Sequence, residues 1–413
     1  MNYPPVDIVR KDAEDDDENN DPNANRMMPG FGGDKKKKEE EKVEEIDKEQ
    51  DDDEPHLIHL FKFECDLTKD RQVSCIDINT INNELIAVSY GEFDIDCTKE
   101  LKRGILAFWT LKNPGFPEKI IYSEHSITCC QFSRKNPHMI AVGDSHGNIA
   151  IYNIRSDDYA TPIAESKDID GKHTDIIWEL QWVDRDAKGE GLVTISGDGR
   201  IIEWTMKKGL EFLELTQLKR ETNPNQKDVY STGATEDKGE KKGGMTFITT
   251  GGLSIDFPKG ENINYFAATE DCSIHKCSVS YPDQYLDNYY GHAGPIYRIR
   301  CNPYWNTQDC PIFLSCSYDW TVRVWHAKDT TEKLVCQQLT VEHPLKTQVN
   351  DIEWSPYTSS RFASVTNDGR IEIWDLFLDQ LKPLITHFDK DAEGKETNVP
   401  KTIVRFGPQG PSS

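Results

Sequence analysis

A short phrase recurs along this chain, and it restricts the fold more than any other feature. The phrase is a turn of small or acidic residues followed by an alternating apolar strand that closes on an aromatic. It reads Gly-Asn-Ile-Ala-Ile-Tyr at 147–152, Gly-Arg-Ile-Ile-Glu-Trp at 199–204, Thr-Val-Arg-Val-Trp at 321–325 and Gly-Arg-Ile-Glu-Ile-Trp at 369–374. A divergent copy, Gly-Ile-Leu-Ala-Phe-Trp, lies at 104–109. Self-similarity at a period of roughly 40–50 residues means a repeat architecture, in which each unit buries its apolar faces against its neighbours. The period-2 alternation makes the units β-sheets. Radially stacked sheets of this kind form a β-propeller.

Each repeat has the parts a four-stranded blade needs. Asp198-Gly199 and Asp368-Gly369 fit tight hairpin turns, where glycine adopts positive φ at little cost. Second strands precede the turns: Ile-Ala-Val-Gly at 140–143, Val-Thr-Ile-Ser at 193–196, Phe-Leu-Ser-Cys-Ser at 313–317 and Phe-Ala-Ser-Val-Thr at 362–366. Innermost strands lie upstream at 127–133, 176–183, 295–302 and 349–355. Closure on Trp, and on Trp-Asp at 374–375, is the WD40 signature.

Counting repeats gives an all-β, WD40 β-propeller of the seven-bladed type whose last blade is incomplete in this chain. Blade 1 spans 73–111; blades 2, 3, 5 and 6 are anchored on 127–154, 176–206, 295–326 and 349–376. Blade 4 is weaker, with Cys277 where Trp is expected. A seventh blade begins at 402–406. The alternating segment 57–63 is expected to close the ring as that blade's outer strand. Two segments read as insertions: 92–103, and 207–250, which holds an apolar periodic piece at 209–220 and a polar loop at 221–244. The domains are therefore a charged tail at 1–56, the propeller at 57–407 and a short tail at 408–413.

The first 56 residues hold 20 acidic and 9 basic side chains, nearly half of the chain's net charge of −24. Such a segment buries too little apolar surface to offset its ordering entropy, and disorder is expected. Four lysines at 35–38 are flanked by acidic runs that cancel their field. Overall acidity argues against nucleic acid as a partner. No run of 18 apolar residues marks a membrane span. The N-terminal Met-Asn-Tyr-Pro-Pro-Val-Asp is polar, unlike a signal peptide. Eleven cysteines are scattered with neither CxxC nor metal-ligand spacing, as in a reduced compartment.

The linkers carry a more specific likeness. Tyr-Gly-Glu-Phe-Asp stands at 90–94, and Arg-Gly-Ile-Leu-Ala-Phe-Trp-Thr-Leu-Lys-Asn-Pro-Gly-Phe-Pro-Glu at 103–118. Lys172-His173 precedes Trp178 and Trp182, and Gln284-Tyr285-Leu286-Asp287 leads into Gly291-His292. Residues 315–325 contain Asp319-Trp320. Over about 57–406 the chain resembles the dynein intermediate chain family. The phrases at 289–297, 371–376 and 383–385 resemble those of axonemal members, foremost the intermediate chain of the two-headed inner arm, dynein f. The outer-arm chain is a near second.

The resemblance implies a non-catalytic scaffold in the ciliary axoneme, within the cytoplasm and cytoskeleton. Its implied partners are a dynein heavy chain and a second intermediate chain. It leaves dynein light chains open: family members carry linear motifs ahead of the propeller, and 1–56 has none. Lys346-Thr347-Gln348-Val349 is similar to a light-chain peptide but runs into the inner strand of blade 6. The alternatives are an outer-arm or cytoplasmic dynein chain, or a generic WD40 adaptor such as a ubiquitin-ligase substrate receptor. No catalytic, cofactor or metal site is expected. His173 and His292 fall where a WD repeat places a structural histidine, and Gly243-Gly244 and Gly251-Gly252 lack the Lys-Ser/Thr of a phosphate loop. An aromatic group sits in turns and linkers: Tyr285, Tyr289, Tyr290, Tyr304, Trp305 and Trp320. Interface energy concentrates in such anchors, and Tyr304, Trp305 and Trp320 are the candidate protein-binding residues.

Overall fold

The computed structural model describes residues 55–407, apart from 92–102, 186–188, 208, 222–247, 305–310, 338–346 and 391–395. The described residues contain strands and no helix. They form six antiparallel sheets of four strands each. Blade 1 is Gln72–Ile78, Leu85–Gly91, Gly104–Thr110 and Lys119–Ser123. Blade 2 is Ile127–Phe132, Met139–Asp144, Ile149–Asn153 and Ala164–Glu165. Blade 3 is Ile177–Asp184, Glu190–Ser196, Arg200–Met206 and Leu210–Gln217. Blade 4 is Gly252–Asp256, Asn264–Thr269, Ser273–Ser278 and Asp287–Tyr290. Blade 5 is Ile296–Cys301, Ile312–Ser317, Thr321–His326 and Asp329–Gln337, and blade 6 is Val349–Trp354, Arg361–Thr366, Ile371–Asp375 and Ile385–His387.

The turn chemistry explains where the strands reverse. Gly199 and Gly369 adopt φ of 79° and 91°. A Cβ on Gly199 would lie 2.5 Å from the Thr250 carbonyl oxygen, so only glycine fits there. The Asp side chains beside these turns do the rest. Asp198 Oδ1 accepts the Arg200 N–H at 2.9 Å, and Asp319 Oδ1 accepts the Thr321 N–H at 3.1 Å.

Alternation along the strands puts apolar side chains on both faces of each sheet, because each blade is packed between two neighbours. Five buried clusters result, each shared by consecutive blades. Phe108 with Phe132 joins blades 1 and 2, and Ile149 with Trp182 joins blades 2 and 3. Ile201 with Tyr265, Ile274 with Phe313 and Val322 with Trp354 continue the series to blade 6. Trp109, Trp204, Trp325 and Trp374 are all essentially fully buried.

The inner strands of blades 1 to 5 are tied together by a repeated bond. A polar side chain near the end of one inner strand accepts a main-chain N–H from the next. Phe132 N–H reaches Asp77 at 2.7 Å, Trp182 N–H reaches Gln131 at 2.7 Å, and Phe257 N–H reaches Gln181 at 3.3 Å. Cys301 N–H reaches Asp256 at 2.6 Å. Segment 402–406 enters the same series. Val404 N–H reaches Asp351 at 3.1 Å and Phe406 N–H reaches Glu353 at 2.7 Å. On its far side Thr402 Oγ1 donates to the Val73 carbonyl at 2.8 Å, and Arg405 Nε donates to that of Ile76 at 3.2 Å. The segment thus bridges blade 6 and blade 1 at an inner-strand position.

Two expectations need correction. Segment 57–63 forms no strand. Phe63 packs on Trp109, ring centroids 5.5 Å apart, and with Cys65 covers the face of blade 1 that looks away from blade 2. It cannot act as an outer strand because 402–406 has no second and third strands, among the described residues, to carry one. The apolar piece at 209–220 is no insertion: Leu210–Gln217 is the outer strand of blade 3, paired with Arg200–Met206. Leu213 and Leu215, which a regular strand would put on one face, are exposed and buried respectively because the pairing slips by one residue between Glu214 and Thr216, a bulge at Leu215. Most of 92–103 and 221–244, and all of 1–54, lie outside the described residues.

Candidate interaction surfaces

A propeller presents two faces. Inner strands begin on one face, beside the turns that join second to third strands; they end on the other. Pairing of Ile296 with Ser317 and of Cys301 with Phe313 therefore places Trp320 and Tyr304 on opposite faces of blade 5. Trp305 lies outside the described residues. The structure does not gather the three candidate anchors into one patch.

Trp320 is held in an unusual backbone. Its φ is 69°, and its side chain is 38% exposed. Left-handed conformation is costly for a bulky residue and persists only where surroundings impose it. Asp319 imposes it. This carboxylate accepts N–H groups from Ala293 and Thr321 and lies 2.8 Å from His292 Nδ1. His292 Nε2 lies 2.7 Å from Ser315 Oγ, which also accepts the Trp325 indole N–H at 2.7 Å. Burial alone would raise the Asp319 pKa. The His292 hydrogen bond and charge, with the Thr321 and Ala293 donors, outweigh burial and hold it far below the ordinary carboxylate range. Blade 3 repeats the arrangement: His173 Nδ1 lies 3.1 Å from Asp198, Nε2 lies 2.9 Å from Thr194 Oγ1, and Trp204 Nε1 donates to Thr194 Oγ1 at 3.0 Å. Both histidines are buried cross-braces of their blades.

On the other face, Tyr304 is half exposed, and its hydroxyl donates to the Pro356 carbonyl of blade 6. The remaining aromatics divide. Tyr289 is fully buried against Phe313 and Trp325. Tyr285 stacks on His275 at 4.0 Å and bonds the main chain of Lys219. Those two support packing; Tyr290 is half-buried.

Sequence reasoning missed a strongly exposed apolar group, Phe377, Leu378 and Leu381, at 87%, 62% and 84%. They lie in the loop after Ile371–Asp375, shaped by Asp375 and Asp379 accepting the N–H groups of Phe377 and Leu381. Their signal in the sequence was an apolar run beyond the closing Trp-Asp, where other blades turn polar.

The channel has two halves. Where the inner strands begin, Trp178, Leu253, Pro295, Tyr297 and Ile403 line an apolar hollow of about 400 Å³. Deeper, Arg298 and Arg300 pair with Glu179 at 3.2 and 2.8 Å, and Arg405 pairs with Asp351 at 2.8 Å. These charges compensate one another inside the ring. Among the described residues no His, Cys, Asp and Glu group could hold a metal ion. No described helix is long and apolar enough to cross a membrane.

Comparison with known proteins follows this architecture. The WD domain, G-beta repeat family model matches residues 283–326 and 335–375, covering parts of blades 4 to 6. The chain is 40% identical over 342 residues to dynein axonemal intermediate chain 4 of Mus musculus, covering 80% of this chain and 39% of that protein. It is 41% identical over 339 residues to the same protein of Homo sapiens, covering 80% and 37%. Dynein intermediate chain 2, ciliary, of Heliocidaris crassispina is 30% identical over 361 residues, covering 87% and 47%. The chain spans less than half the length of these curated relatives.

Proposed function

Because the chain belongs to the dynein intermediate chain family, we propose that it is a non-catalytic scaffold subunit of an axonemal dynein. In this reading it holds a heavy chain and a second intermediate chain in the ciliary axoneme. The observation that carries it is the likeness over four fifths of the chain to proteins named axonemal intermediate chains. The linker phrase at 103–118 supports this family over other WD40 proteins. The structure is suited to the task. Six blades share continuous buried cores, and the histidine braces of blades 3 and 5 stiffen the turns. Rigid elements of this kind position anchors without a large ordering cost on binding.

Trp320 on one face and Tyr304 on the other, together with Trp305, which lies outside the described residues, are the proposed heavy-chain anchors. A desolvated aromatic anchor contributes about 2–4 kcal/mol to an interface. The test is capture of a dynein heavy chain from axonemal extract by the tagged chain, with Trp320→Ala and Tyr304→Ala compared separately. Loss with one variant alone identifies the docking face. Undiminished capture by both, with thermal melting unchanged, removes these residues from the interface. No heavy chain with any variant, wild type included, removes the proposal.

A further inference from the structure

We propose that Cys75 and Cys130 form an oxidation site, which a hydroperoxide converts reversibly into a disulfide that staples blade 1 to blade 2. The two residues are 55 apart in sequence and meet only through the ring. Cys75 lies on the inner strand Gln72–Ile78, and Cys130 on the inner strand Ile127–Phe132. Cys75 Sγ stands 3.4 Å from the Cys130 carbonyl oxygen, and the two thiols hydrogen-bond each other. Both belong to the buried cluster that joins these blades, at 7% and 3% exposure.

Burial does not isolate the pair from small molecules. Cys75 and Cys130 line a cavity of about 220 Å³ in the polar half of the channel. A water takes up about 30 Å³ of liquid, so hydrogen peroxide, which is little larger, has room there. Arg298 lines both this cavity and the hollow at the channel mouth, which gives the route inward. The surroundings also divide the labour between the two sulfurs. The hydrogen bond with Cys130 and the charges of Arg405 and Arg298 hold the Cys75 thiol below its ordinary pKa, against the effect of burial. The same bond and burial push the Cys130 thiol up. Cys75 is the attacking thiolate, and Cys130 is the thiol beside it that resolves the product.

The reaction balances without a further reagent. The Cys75 thiolate attacks one oxygen of hydrogen peroxide and the O–O bond breaks, leaving a sulfenic acid on Cys75. The departing hydroxide takes up the proton that Cys75 shed on ionising and leaves as water. The Cys130 sulfur then attacks the Cys75 sulfur, the S–O bond breaks, and the hydroxyl leaves as water with the Cys130 proton. Two thiols and one peroxide become one disulfide and two waters. Cys129 serves as an internal control. It adjoins Cys130 but faces blade 3, with Sγ 3.6 Å from the Ile177 carbonyl oxygen, in the cluster of blades 2 and 3. Successive side chains of a strand point to opposite sides, so only Cys130 is turned to Cys75. This inference does not depend on which motor subunits the chain binds.

The test treats the reduced, folded full chain with hydrogen peroxide, caps the remaining thiols with N-ethylmaleimide in urea, and locates disulfides by peptide mass spectrometry with fragmentation between Cys129 and Cys130. A link from Cys75 to Cys130 is expected as the main product, absent before treatment and removed by dithiothreitol. Cys129→Ala should keep the link, and Cys75→Ala and Cys130→Ala should lose it. Thermal melting shows whether each variant folds, and the wild-type product carries the test for any variant that does not. Three results would overturn the proposal: no link from Cys75 to Cys130 in the folded wild-type chain; Cys75 linked as much to Cys129 as to Cys130; or the same mixture of links from a chain oxidised after unfolding in urea, meaning that the fold does not select the pair.

Discussion

Replacing Asp351 by Asn tests how the ring is closed. Asp351 is fully buried. Its Oδ2 accepts the Val404 N–H at 3.1 Å and the Arg405 Nη1 at 2.8 Å, while Oδ1 lies 3.4 Å from Arg298 Nε. Asn keeps the volume and one acceptor for Val404 but removes the charge that faces both guanidinium groups. Arg298 retains Glu179 at 3.2 Å, so the unmet charge falls on Arg405. Removing one member of a buried ion pair costs about 3–5 kcal/mol, and the surviving acceptor argues for the low end, about 3 kcal/mol. For a domain of about 350 residues that lowers the melting temperature by about 4 °C. The loss should be local in origin: amide exchange at Val404 and Phe406 should accelerate at least tenfold, while Ile195 in blade 3 stays slow. Circular dichroism melting with site-resolved hydrogen exchange measures both. A melting temperature within about 1 °C of wild type, with unchanged exchange at Val404, would refute the closure argument.

Three further outcomes are expected. Gly199→Ala meets both a φ of 79° and a carbonyl 2.5 Å from the new Cβ, whereas Gly260→Ala has a φ of 84° and open space; in urea unfolding the first should cost at least about 2 kcal/mol and the second about 1 kcal/mol. Asp319 has a depressed pKa, so its contribution is complete above the ordinary carboxylate pKa and is lost as pH falls through the depressed value. Asp319→Asn should therefore destabilise the fold at neutral pH and narrow that difference progressively below about pH 4, as read by unfolding at several pH values. Asp77 shows the opposite sign: burial outweighs the Phe132 N–H and raises its pKa to about 7. Stability is lost as pH rises from about 4 through that value, so Asp77→Asn should gain melting temperature over wild type at pH 8 and little at pH 4.

The fold was legible because the blade phrase is local. Glycine at positive φ, alternation and the closing Trp all lie within a few residues of one another, and even blade 4 was found through Ser273–Ser278 with Cys277 in the Trp place. Segment 57–63 failed for a nonlocal reason: alternation predicts a strand, but a strand needs a partner, and hydrophobic cover on Trp109 prevailed. Leu210–Gln217 was missed because a mostly exposed outer strand shows little period-2 contrast in its leucines. At the surface, Trp320 stands out in the sequence as one of the aromatics in turns and linkers, and the structure gives it both exposure and an enforced backbone. The opposed faces of Trp320 and Tyr304 depend on strand pairing and could not be read from their nearness in sequence. Phe377, Leu378 and Leu381 carry no motif, and their exposure is a property of the folded loop alone.

The most direct test of the scaffold role is sedimentation. The tagged chain would be expressed in ciliated cells, axonemes extracted at high salt, and the extract run on a sucrose gradient with blotting for the tag, for dynein heavy chains and for a ubiquitin-ligase core subunit. The account predicts a tag peak that coincides with dynein heavy chains and moves with them when the particle is dissociated. A tag that sediments as a free protein of 47.2 kDa, or with the ligase core, while the heavy chains run elsewhere would contradict it.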